Sequence, residues 1–148
     1  MERTSANRCR MQTGNHNLVL IYSPCGSSEE AERLARALLE ERLIACANIY
    51  ESRSLYHWQG TVTDEREFML VCKTAPARAQ AACTMLERLH SYEIPCVMEI
   101  QPSSANQAFE RWVSGEVQGS GLSAATQPKA VGDSAPPPFV GGQEGSVF

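Results

Sequence analysis

The chain has 148 residues, which is room for one ordinary domain. Apolar residues make up 43% and charged residues 20%, a balance that suits a globular protein. Thirteen basic against 17 acidic side chains give a formal charge of −4. The resulting pI near 5.4 argues against a nucleic-acid-binding domain, which is usually basic. No apolar run approaches the ~18–20 residues of a membrane-spanning helix.

The first segment, Met1 to Asn17, carries charges but no apolar stretch of the kind a secretory leader needs. The expected compartment is therefore the cytoplasm. The six cysteines stand at 9, 25, 46, 72, 83 and 96, with no CxxC pair, so zinc-ribbon and thioredoxin spacings are excluded. Free thiols are expected, with Cys46, Cys72 and Cys83 in the core.

Leu18–Tyr22 is a short apolar run fit for a buried strand, ended by Pro24-Cys25-Gly26. Ser27 with Glu30 three residues on is a capping box that opens a helix. Ala31, Leu34, Ala35, Leu38 and Leu39 form its apolar stripe, and the helix is expected to end near Leu43. Ala45–Tyr50 reads as a second strand continuing, bent, through Ser54–Gln59. Gly60 with Thr61–Asp64 makes a turn, and Arg66–Lys73 is a third strand paired with the second in a long hairpin. Thr74 is placed to cap a second helix, with Pro76 in its first turn and Ala79, Ala82, Cys83, Leu86 and Leu89 on one face. Cys96–Ile100 is a fourth strand, and Asn106–Ser114 a short last helix.

The order βαββαβ, then α, is an α+β ferredoxin-like arrangement: an antiparallel sheet with two helices on one face. The second and third strands offer apolar side chains to both faces, and one helix layer covers only one. Self-association through the open face or the hairpin is the expected consequence. The domain is expected over residues 17–114. Residues 1–16 and the Gly/Pro-rich segment 115–148, with seven of the ten Gly, are expected to be disordered.

Five segments carry a resemblance. They are Glu40–Ile49 (EERLIACANI), Ser54–Gly60 (SLYHWQG), Lys73-Thr74, His90–Pro95 (HSYEIP), and Asn106-x-x-Phe109-x-x-Trp112. In that order they resemble the CutA family of divalent-cation tolerance proteins, over residues 18–114. The resemblance implies a tight homotrimer, similar in architecture to the PII signalling proteins, linked to tolerance of copper and other divalent metals. Members with a described copper site use a Cys near the end of the first strand and His residues at the end of the second long helix. Carried onto this chain, that implies Cys25 and His90 as metal ligands, joined by Glu93 or Cys96, for copper or another divalent cation. The pattern departs at Ser23, Leu89, Ser91 and Cys96. The competing reading makes His90 a helix C-terminal residue that satisfies the last carbonyls.

A second candidate site is a cleft between subunits. Lys73 closes an apolar strand, Tyr92 follows the second helix, and Tyr56 and Trp58 share one face of the hairpin. Together they would hold an anion or small ligand, as a PII-like regulatory module would. Signatures such as GxSxG, the P-loop, GxGxxG and HExxH are missing, so no catalytic activity is expected.

Overall fold

The computed structural model describes residues 17–119. Four strands and three helices follow in the order β1 (Val19–Cys25), α1 (Ser28–Glu40), β2 (Cys46–Trp58), β3 (Thr61–Thr74), α2 (Pro76–Leu89), β4 (Met98–Ile100) and α3 (Gln107–Val117). The sheet order is β2-β3-β1-β4, and every neighbouring pair is antiparallel. This is the ferredoxin-like α+β fold. Of the segments expected to be disordered, residues 1–16 and 120–148 lie outside the described residues, whereas 115–117 form the last turn of α3.

Local chemistry explains where the elements stop. The Ser27 hydroxyl accepts the Glu30 N–H at 3.1 Å and opens α1. The helix ends at Glu40, earlier than its periodicity suggests, because Arg42 turns left-handed with φ 52°. The Leu43 N–H then reaches back to the Leu38 carbonyl at 2.9 Å, which closes the helix end. Gln59 and Gly60, at φ 48° and 81°, form a two-residue hairpin turn. The expected turn over Thr61–Asp64 is instead strand, and the ladder runs without a break from Cys46↔Lys73 to Trp58↔Thr61.

Two further differences have plain causes. Thr74 does not cap α2. Its hydroxyl donates to the Leu43 carbonyl at 2.6 Å, and Ala75 occupies the cap position without a side-chain bond. The last helix continues past Ser114 to Val117, because Val113 and Val117 are both buried. Two arginines hold its end: Arg78 donates to the Val117 carbonyl at 3.0 Å and Arg42 to that of Glu116 at 2.9 Å.

Strand alternation divides the side chains between two faces. Val19, Ile21 and Cys25 of β1, with Leu70 and Cys72 of β3, pack under α1 and α2 against Leu34, Leu38, Ala82 and Leu86. The opposite face carries Leu20, Tyr22, Met69, Val71, Tyr50, Met98 and Ile100, as the cross-strand registers show. Cys46 falls on that face, half-buried opposite Lys73, and not in the core as its apolar neighbours suggest.

Candidate functional site

The candidate residues gather where the end of β1, the start of α1 and the loop after α2 meet. Glu30 is buried, and its carboxylate ties this corner together. One oxygen accepts the Ser91 N–H at 2.8 Å and the other accepts the Gly26 N–H at 3.2 Å. Burial would push the carboxyl up, but the bonds from Ser91 and Gly26, with His90 nearby, hold it below its usual value. Such a carboxylate, fixed by backbone donors, is a structural anion.

His90 stands at the C-cap of α2, its side chain fully buried. Its Nδ1 accepts the Tyr92 N–H at 3.1 Å, so the ring proton sits on Nε2 and is donated to the Pro24 carbonyl at 2.9 Å. Both ring nitrogens are thus committed. Glu30 lies 3.8 Å from Nδ1, too far to replace the Tyr92 bond. Cys25 is fully buried, donates weakly to the Ser23 carbonyl at 3.6 Å, and has a thiol pushed up to about 12, chiefly by burial. Glu93 is exposed. Among the described residues no three His, Cys, Asp or Glu side chains stand together as a metal site.

The metal set expected from the resemblance is therefore not assembled within the subunit. Cys25, His90 and Glu93 lie in neighbouring segments, but the thiol is buried and both ring nitrogens of the imidazole are held in hydrogen bonds. Copper binding by such groups requires a thiolate and a free imidazole nitrogen. Ser23 adds no ligand here: its hydroxyl is fully buried and has no hydrogen-bond partner.

The second candidate set divides. Tyr92 lays its ring against Gly26, where a Cβ would stand 3.3 Å from the Tyr92 ring carbon Cε1. Its hydroxyl donates to Glu67 at 2.9 Å. Burial, then the Glu67 bond and charge, raise this phenol well above its usual value, and Tyr56 lies near enough to add to the effect. Tyr56 bonds Glu65 at 2.8 Å, and Trp58 is half-exposed further along the hairpin. Lys73 lies six residues along β3 from Glu67, roughly 20 Å at ~3.3 Å per residue. One subunit therefore brings Tyr92 and Tyr56 together and leaves Lys73 apart.

Glu30 and Glu67 are the central groups that the sequence reading missed as site residues. Glu30 was legible only as a capping residue. Glu67 had one signal, its place directly before the apolar run Phe68–Cys72.

A profile of the family described as CutA1 divalent ion tolerance protein matches residues 19–116. A divalent-cation tolerance protein CutA from Archaeoglobus fulgidus is 34% identical over 103 residues, which is 70% of this chain and 99% of the relative. The one from Pyrococcus horikoshii is 30% identical over 101 residues, 68% of this chain and 99% of the relative. Among solved structures, divalent ion tolerance protein CutA1 from Ehrlichia chaffeensis superposes with a TM-score of 0.67 at 32% identity, covering 70% of this chain and 98% of that one. The A. fulgidus CutA structure, described as periplasmic, gives 0.65 at 33% identity, covering 68% and 98%.

Proposed function

The chain belongs to the CutA1 divalent ion tolerance family, and from that premise we propose that it acts in divalent-cation tolerance as a cytoplasmic homotrimer without catalytic activity. The open sheet face carries the oligomer reading. Tyr50, Met98 and Ile100 are exposed there in the isolated subunit, beside half-buried Leu20, Tyr22 and Val71. A contiguous apolar face of this kind marks a protein interface. Light scattering at micromolar concentration is expected to give three times the 16.2 kDa chain mass; a monomer mass would overturn the reading.

A copper site built on Cys25, His90 and Glu93 would require the His90 ring to release its bonds with Tyr92 and Pro24, since no three ligating side chains stand together among the described residues. The second reading, a PII-like module that holds a small ligand between subunits, is favoured by one observation. Tyr92 and Tyr56 converge near Glu67 on a face that assembly would enclose. Calorimetric titration with copper, nucleotides and small anions separates the two readings, because only the second expects saturable binding of an organic ligand.

A further inference from the structure

We infer that Glu67 on one copy of this chain pairs with Lys73 on a neighbouring copy across the open sheet face. The inference rests on the self-association proposed above and specifies the polar contact that sets its register.

The argument starts from the composition of that face. Read through the registers, it comprises Leu20, Tyr22 and Pro24 of β1, Cys46 to Ser52 at alternate positions of β2, Glu67 to Lys73 at alternate positions of β3, and Met98 and Ile100 of β4. Across this stretch of the sheet, Glu67 and Lys73 are the only charged residues. Both stand on β3, at opposite ends of the apolar surface, with Met69 and Val71 between them.

Neither charge is matched within the subunit. Glu67 is 8% exposed, and its carboxylate accepts the Tyr92 hydroxyl, a neutral donor. Among the described residues no Lys or Arg lies within ion-pair distance of it, and no carboxylate lies within that distance of Lys73. A separation of roughly 20 Å forbids their pairing in one chain. Covering the face would desolvate both groups, and a buried charge without a counter-charge is strongly unfavourable.

A second copy resolves both deficits at once. Its Lys73 supplies the ammonium for Glu67, and in a closed ring each interface repeats the contact with nothing left over. The same pairing opposes sliding along an otherwise apolar surface, where shape alone sets register weakly.

The test mixes unlabelled and 15N-labelled full-length protein and follows subunit exchange by native mass spectrometry, with circular dichroism to confirm folding. Glu67→Gln and Lys73→Met should each accelerate exchange tenfold or more. The swapped double variant Glu67→Lys with Lys73→Glu should recover most of the wild-type rate. A smaller acceleration in either folded single variant, or a swap no slower than the singles, overturns the pairing while leaving self-association intact. A wild-type chain that is monomeric throughout overturns both. Should a single variant fail to fold, the swap alone decides, since only a direct pair restores slow exchange when both charges are reversed.

Discussion

His90 donates its Nε2–H to the carbonyl oxygen of Pro24, 66 residues away in the chain, at 2.9 Å. The bond finishes the sheet where β4 is too short to do so. β4 pairs with β1 only from Leu20 to Tyr22. Beyond Tyr22 the ladder side of β1 has no strand, and a proline there has no N–H to leave unpaired. Its carbonyl still needs a donor, and the imidazole provides one.

This relationship predicts a structural role for His90. His90→Ala leaves the Pro24 carbonyl and the Tyr92 N–H unpaired in a buried corner, which costs about 1–3 kcal/mol. Thermal melts should fall accordingly, while copper affinity, measured by chelator competition, should change less than tenfold. An unchanged melt with a large loss of copper affinity would reverse the assignment.

Truncation tests the end of the domain. Ending the chain at Gly115 removes buried Val117 and the carbonyls that Arg42 and Arg78 hold. The expected loss is about 2–4 kcal/mol by denaturant unfolding at equal protomer concentration. Ending it at Gly119 keeps these contacts and should leave stability unchanged. Equal stability of the two truncated chains would show that the last turn of α3 contributes nothing.

The strands and helices were legible because their apolar periods are strong, as in Ala31, Leu34, Ala35 and Leu38 of α1. Their ends were less so. Arg42 adopts a left-handed turn that its residue type does not announce. Val117 lies in a Gly-rich stretch that composition alone assigns to a tail. The site was harder still. The position of His90 followed from the resemblance, but the Pro24 carbonyl that its ring bonds lies 66 residues away in the chain, and only the fold brings the two together. Glu67 was invisible for the same reason, since its burial depends on Tyr92, 25 residues away.

Glu30 gives the protein an acid-sensitive corner. Its folded pKa lies below the unfolded value of about 4.3. Its contribution is therefore present above the unfolded pKa and is lost as pH falls through the folded one. Unfolding free energy should drop more steeply below about pH 4.5 in the wild type than in Glu30→Gln, which has no charge to lose. Parallel profiles for the two proteins would show that the bonds from Gly26 and Ser91 do not favour the ionised form.

The thiols should divide by burial. Cys25 and Cys72 are fully buried with pKa values pushed up to about 12, chiefly by desolvation, and Cys83 to about 11. The thiolate is the reactive species, so at pH 8 these groups are almost wholly protonated as well as shielded. Cys96 is exposed. Among the described cysteines, alkylation followed by peptide mass spectrometry should modify Cys96 first, and Cys25 and Cys72 only at the rate of unfolding. Cys46 adds a readout of assembly, because it lies half-buried on the open sheet face beside Lys73. Its labelling should speed up when dilution dissociates the oligomer, while Cys25 stays protected. Rapid labelling of Cys25 in the folded protein would mean that the end of β1 opens, and would return that thiol to the list of groups able to meet a metal ion.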